Sequence, residues 1–341
     1  MIINVKKTFY PVGQGCFYSE RISTEKDEKT IVYDCGSFNK EHLKKEIIQS
    51  DITQIDYLVL SHFHRDHING IEELLKKKCD IKNVIIPKID ALDVAFYLGT
   101  KNTIEHIMID PNAYFGENTK IIRVSNSDEP TVLEDNSALP SIISHSTSFP
   151  IIIRPSKEEI IWFLKFYADP TVFLGKPLDK RERDIIDGIK DITDYKINKN
   201  ELIETYKKLS NKDVNLTTMS MASYPSNELW PFHNFNRHSV SVMNGDTLLN
   251  TDIRIQKYLK HYFELNQFKI DFHIPHHASH KNLSRPFCEW NLKRGIVFSG
   301  YENDYGHPSG IILRKFADAN IPFKVMTEYD KQIVKRISYL L

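Results

Sequence analysis

A short apolar run, "YLVL", ends at Leu60 and is followed at once by "SHFHRDHING", which sets His62, His64, Asp66 and His67 within six residues. The run is bounded by polar residues and reads as a buried strand. It therefore delivers four ligand-type side chains at its C-terminal end. Divalent metals take imidazole and carboxylate ligands at about 2.0–2.2 Å. A turn at a strand end can aim His62 and His64 at one ion, and Asp66 and His67 at a second. Four residues do not complete two coordination shells. The pattern demands more downstream: another histidine for the first ion, a bridging carboxylate, and another histidine for the second, each at a strand end.

The later sequence offers them in order. His238 opens "HSVSV", Asp252 ends "LLNTD", and His276 and His277 follow "FHIP". Any one of these alone is more often structural than a ligand; together they form a set. His238 is assigned to the first ion, Asp252 to the bridge and His277 to the second ion. The choice between His276 and His277 stays open on spacing alone, and His276 is assigned to substrate.

Around these clusters the N-terminal 90 residues read β-β-β-α-β-α-β, an α/β pattern. Between about residues 91 and 235 the periodicity blurs. "ALDVAFYLGTKNTIEHIMI" and "IIDGIKDITDYKINKNELIETYKKLS" have helical spacing, whereas "SDEPTVLEDNSALPSIISHSTSFP" is loop-like. This predicts a large, mostly helical insertion that divides a catalytic domain made of 1–90 and 236–341. In the second half, "HSVSVMNGDTLLNTD" reads as a hairpin turning at Asn244-Gly245-Asp246, because Asn-Gly is a strong type I′ signal. Helices and strands then alternate to the end.

Composition excludes little. With 45 basic and 45 acidic residues the chain has no overall bias toward polyanions, and 41% apolar content is enough for a folded core. Cys16, Cys35, Cys79 and Cys288 form no CxxC pair, and no apolar run approaches the ~20 residues of a membrane span. A cytoplasmic protein with reduced thiols and no membrane association is expected.

H-F-H-R-D-H after an apolar strand resembles the metal-binding signature of the metallo-β-lactamase fold. "PVGQGCFYSE", "IVYDCGS", "LVLSHFHRDHINGIEELL", "NRHSVSVMNGDTLLNTDI", "FHIPHHASHKN" and "VFSGYENDYGHPSG" resemble, in this order, the motifs of the ComEC-type competence hydrolases. The resemblance covers residues 1–90 and 236–341. Departures are Cys16 where that family often has Asp, Thr251 for the Gly before Asp252, and Ala278 for the Gly of P-H-H-G-S. His64 stands where ComEC-type proteins often have Asp, which is similar to dinuclear members such as the RNase Z group. The resemblance implies an αββα sandwich and two divalent ions, Zn or Mn.

Such a site predicts hydrolysis by water activated between two cations. Asp66 would bind the second ion and orient the nucleophile, and Asp252 would bridge. His307, in "YGHPSG", would contact a phosphate or protonate a leaving oxygen. Asn303 and His280 are further candidate substrate contacts. Asp34, in "YDCGS", is expected to hydrogen-bond a ligand histidine. The function expected is a metal-dependent phosphodiesterase or nuclease acting on DNA or nucleotides. The runners-up are hydrolysis of a small ester, thioester or lactone at the same site, and a catalytically silent binding module. Residues 91–235 are a candidate surface for a protein partner.

Overall fold

Ile3 and Val5 are buried while Ile2 and Asn4 face outward, the period-two pattern of a strand with one covered face. The computed structural model in which this is seen describes residues 2–89, 93–94, 97, 103–133, 140–154, 159–168, 179–181, 184, 200–201, 204, 217–226, 239–301 and 303–340. Strands β1 (Ile2–Phe9), β2 (Gly15–Ser23) and β3 (Glu28–Ser37) form an antiparallel meander. Asn39 then caps helix α1 (Lys40–Gln49), its side chain accepting the His42 N–H at 3.0 Å. After α1 the chain returns in parallel: β5 (Tyr57–Val59) pairs with β3 and β7 (Asn83–Pro87) pairs with β5. Two short helices, α2 (Arg65–Ile68) and α3 (Ile71–Lys76), lie between those strands, and β4 (Gln54–Ile55) and β6 (Asp80–Ile81) form a separate small parallel pair.

The middle of the chain corrects the expectation of a mostly helical insertion. Its described residues contain two short helices, α4 (Glu105–Ile109) and α5 (Pro111–Phe115), further helical positions at 93–94, 97, 180–181, 184, 200–201 and 204, and five strands, whose residues outnumber the helical ones. β8 (Lys120–Ser125) and β9 (Ile142–Ser144) extend the first sheet, which with the last strand, β17 (Ile333–Leu340), has eight strands ordered β17-β1-β2-β3-β5-β7-β8-β9. β10 (Ser148–Ile153), β11 (Ile160–Ala168) and β12 (Met219–Pro225) begin the second, seven-stranded sheet. The signal was present: Phe149, Ile151 and Ile153 are buried in strict alternation with less buried neighbours, a strand period inside a stretch that serine and proline made loop-like. The helical spacing expected over most of 185–210 falls outside the described residues.

The second sheet continues with β13 (Ser239–Met243), antiparallel to β12, and then β14 (Lys269–His273), β15 (Leu292–Phe298) and β16 (Phe323–Met326), each parallel to the one before. Helices α6 (Asp252–His261) and α7 (Gly310–Asp318) make the crossovers, and β17 (Ile333–Leu340) closes on β1. The two sheets share one core, in which Phe9, Tyr18 and Tyr33 meet Trp162, Met219, Met221 and Phe298. Polar ties cross it as well: Tyr18 donates to Ser241 Oγ at 2.9 Å, and Tyr33 donates to the Met219 carbonyl at 2.7 Å. On the far side of the second sheet, Ile255, Tyr258, Ile312 and Phe316 of α6 and α7 pack against Val240, Val242, Ile270 and Phe272. Leu43, Ile47 and Leu74 of α1 and α3 are likewise buried. The layers are α, β, β, α. Among the described residues, no helix is long and apolar enough to cross a membrane.

Candidate metal centre

The motif is positioned by a carboxylate on the neighbouring strand. Asp34, fully buried on β3, accepts the backbone N–H of Ser61 at 2.7 Å and its hydroxyl at 2.7 Å. The same carboxylate accepts His67 Nδ1–H at 2.8 Å. Asp34 thus holds the strand end and orients one ring of the motif, the role its sequence context predicts. Glycine permits the close approach of the next layers. A Cβ on Gly36 would collide with the backbone of Asp66 and His67, and one on Gly245 would lie 2.5 Å from Ser61 Cβ. Gly245 also has a φ of +50°, which favours glycine.

Two clusters result. His62, His64 and Asp246 form one, and Asp66, His67 and His277 the other; within each, the ligand atoms lie within 4.8 Å of one another. Hydrogen bonding at Nδ1 turns three of the rings so that Nε2 faces inward, where at His67 an ion would displace a proton. His67 Nδ1 is taken by Asp34, and His277 Nδ1 donates to the Phe298 carbonyl at 2.8 Å. His62 Nδ1 lies 2.8 Å from Ser61 Oγ, whose own proton goes to Asp34. Each of these rings therefore presents Nε2 to the site. His67 Nε2 is buried and makes no hydrogen bond, and His62 Nε2 stands 3.1 Å from His64 Nδ1. Inward lone pairs beside carboxylates are what divalent cations require. The residues fit two ions.

Asp246 lies between the clusters. Its Oδ1 is 3.5 Å from His67 Nε2, and its Oδ2 is 3.4 Å from His62 Nε2. Asp246 is the carboxylate that faces both clusters and would bridge two ions, and the assignment of Asp252 to that place is corrected. Asp252 is the first residue of α6, 77% exposed and ion-paired with Arg285 at 2.9 Å. "LLNTD" is not a strand end: Thr251 caps the helix, accepting from Arg254 N, and Asp in the first turn suits the helix dipole. The expected hairpin does not form either. After β13 the Asn244-Gly245-Asp246 turn leads toward α6, and Leu249 makes only an isolated bridge to Leu283. The Gly-Asp pair at the end of "SVSVMNGD" was the available signal for Asp246.

Other assigned residues fall as follows. His277 is in a cluster, and His276 places Nδ1 3.3 Å from Asp246 Oδ2 at the pocket wall. His276, His277 and Ala278 all have positive φ, a strained left-handed turn that aims both rings at the site. His307 lines the same pocket, its Nδ1 3.4 Å from Gln14 Nε2. Asn303 is committed to its own loop. Its amide donates to the carbonyls of Gly300 at 2.8 Å and His307 at 2.6 Å, and its Oδ1 accepts His307 N–H at 3.0 Å. His280 is exposed and does not line the pocket. His238 lies outside the described residues. Gln14, which spacing did not single out, completes the wall.

Burial and the neighbouring charges set the protonation. Burial alone would raise Asp66, but His67 and His277 hold it well below the usual carboxylate range. Burial would likewise raise Asp246, and His276 and His62 hold it low. Burial would lower His67, yet Asp66 and Asp34 push it well above the ordinary imidazole value. Burial, reinforced by His62, lowers His64 to about 3, and burial with His277 and His276 lowers His307 to about 4.

The metallo-beta-lactamase superfamily model matches residues 24–159, which carry the His62–His67 motif. The match ends there, and the α, β, β, α layering of the whole chain agrees with it. No curated protein matches the chain. Among solved structures it is similar to the metallo-β-lactamase fold protein YhfI from Bacillus subtilis, with 11% identity over 98% of this chain and 100% of that one and a TM-score of 0.45. It is also similar to unliganded yeast PDE1, with 9% identity over 98% and 99% and a TM-score of 0.44. A diphosphatase from the PhnP family has 9% identity over 100% of both chains and a TM-score of 0.41. None of these singles out a ComEC-type subfamily. A metallo-β-lactamase fold with two candidate metal-binding clusters is the equipment of a metal-dependent hydrolase.

Proposed function

We propose that this metallo-β-lactamase-fold hydrolase is a phosphodiesterase acting on nucleotides or DNA. The observation that carries the reading is the polarity of the pocket over the clusters. It has a volume of about 150 Å³ and is walled by Gln14, His64, Asp66, Asp246, His276, His277 and His307, with Phe38 and Tyr305 at its edge. Through Gln14, Phe38 and Tyr305 it is continuous with a groove of about 590 Å³. A small apolar ester or lactone calls for an enclosed apolar pocket, whereas these walls are polar, and Gln14 and His307 offer hydrogen-bond donors beside the two ions the clusters would hold.

His62, His64 and Asp246 would hold one divalent ion, and Asp66, His67 and His277 the other. The ions would supply Lewis acidity toward a phosphoryl group and acidify water. This chain's side chains do the rest. Because the Gln14 amide nitrogen can only donate, His307 Nδ1 accepts and its N–H sits on Nε2. Kept neutral, His307 can donate a hydrogen bond to a phosphate oxygen. Asp66 remains a carboxylate throughout the neutral range and would orient the attacking water by accepting its hydrogen bond. The test is hydrolysis of bis-p-nitrophenyl phosphate with Mn²⁺ or Zn²⁺ added. Asp66→Ala should reduce it to background while the variant stays folded. Full activity in Asp66→Ala would refute the mechanism, and turnover of thioesters or lactones without phosphodiesters would move the site to those substrates.

A further inference from the structure

Two aromatic side chains stand at the mouth of the metal pocket with no part in the chemistry above. Phe38 is 45% exposed and Tyr305 65% exposed. Their ring centroids are 5.9 Å apart and their planes within 17° of parallel. Tyr305 is in turn 6.1 Å from the His307 ring, at 24°. Three near-parallel rings thus run outward from the metal pocket into the groove. A single exposed aromatic needs no explanation. Here both flank hydrogen-bonded backbone beside the site. The Phe38 N–H donates to the Gln14 carbonyl at 2.8 Å, and Asn303 ties the 300–307 loop that carries Tyr305. Flat, pre-set, solvent-facing rings next to a phosphoryl site suit a planar group attached to the phosphate.

The charge of the groove narrows the choice. Its walls bring Glu41, Asp304 and Glu328 against one lysine, Lys40. A long polyanion gains little from such walls, because affinity for a nucleic-acid backbone comes from cations that neutralise its phosphates. Bases inside a duplex are already stacked and paired, and cannot reach a platform without being extruded.

We propose that Phe38 and Tyr305 form a stacking platform for an unpaired nucleobase, making the substrate a short nucleoside-bearing phosphodiester: a nucleotide or a single-stranded end. This rests on the phosphodiesterase reading above. The platform orders the base, and the phosphodiester then lies over the clusters within reach of His307.

The test compares thymidine 5′-(p-nitrophenyl phosphate) with methyl p-nitrophenyl phosphate, which has the same leaving group and no base. The metal-loaded protein should favour the thymidine ester in kcat/KM by roughly 10-fold, the scale of one stacked base. Phe38→Ala and Tyr305→Ala should erase most of that preference by raising KM for the thymidine ester, and Tyr305→Phe should keep it. Calorimetric binding of thymidine 5′-monophosphate against ribose 5-phosphate reads the platform without turnover and should show the same order. Absence of any base preference in the wild type, or equal losses on both esters in the alanine variants, would overturn the platform. A thymidine 5′-monophosphate preference without hydrolysis of either ester would uphold the platform and overturn the phosphodiesterase reading instead.

Discussion

Asp246 and Asp252 have the same side chain and opposite situations. Asp246 is buried between His62 and His67, whereas Asp252 is exposed on a helix end with Arg285. Asp246→Ala should therefore deplete both clusters, which metal analysis of the purified variant would show as a loss of more than one ion per chain. Asp252→Ala should keep its metal and change the unfolding free energy measured in urea by no more than about 0.5 kcal/mol, the usual worth of an exposed ion pair. Equal metal content in the two variants would remove Asp246 from the bridge. Asp34 acts one step back. Without it, His67 Nδ1 has lost its acceptor, and Asp34→Ala should weaken metal binding roughly 10- to 100-fold in chelator competition.

At the scale of elements, the site is assembled by the turns that follow β5, β13 and β14. The turn after β13 is fixed from three sides. Asn244 donates its amide to the His273 carbonyl, Tyr258 of α6 donates to Asn244 Oδ1 at 2.5 Å, and Gly245 rests on Ser61. Gly245→Ala must push either Asp246 or the start of the histidine motif out of place. It should cost about 1–3 kcal/mol in urea unfolding, as overpacking does, and lower metal content as well. Gly306 is the comparison, since it too has positive φ but nothing lies within 4 Å of a Cβ there. Gly306→Ala should cost only the left-handed backbone term, about 1–2 kcal/mol, with both ions retained.

For the molecule as a whole, the buried histidines make stability depend on pH and on metal together. Burial, aided by His277 and His67, lowers His273 to about 3, and burial aided by His145 lowers His261 to about 3; His64 behaves likewise. In the unfolded chain each returns to about 6.5. Below that pH the unfolded chain takes up protons that the fold refuses until about pH 3, so these groups stabilise the fold above pH 6.5 and withdraw that support as pH falls. His67, raised in the fold, has the opposite sign: its contribution is complete below pH 6.5 and is lost as pH rises through its folded value. With several depressed histidines against one raised, the metal-free protein should have a lower urea midpoint at pH 5 than at pH 7. An equal or higher midpoint at pH 5 would mean that these rings are not held neutral. Zn²⁺ at 100 times its Kd should add about 2.7 kcal/mol at pH 7, and a chelator should reverse the gain in Tm.

The histidine motif was legible because its information is local: His62, His64, Asp66 and His67 share one strand end, and no distant contact is needed to see them as ligands. Asp34 was legible only as a candidate hydrogen-bonding support; that its strand lies beside the motif is decided by the pairing of β3 with β5. The downstream ligands were less so. Asp246 and Asp252 both follow apolar residues, and which one meets the metals depends on α6 starting at Asp252 and burying Ile255, Tyr258 and Leu259 against the second sheet. His276 and His277 could not be ranked by spacing, because a left-handed turn sets where each ring points. The strands of the middle region were hidden by their polar and proline residues, and it is pairing with both sheets that makes them strands. The sequence by itself determined the histidine-aspartate ligand motif and the α/β class, which depend on residue type and short-range period. Only the tertiary structure decided the bridging carboxylate, the closing histidine and the aromatic mouth of the pocket, because each is a meeting of segments far apart in the chain.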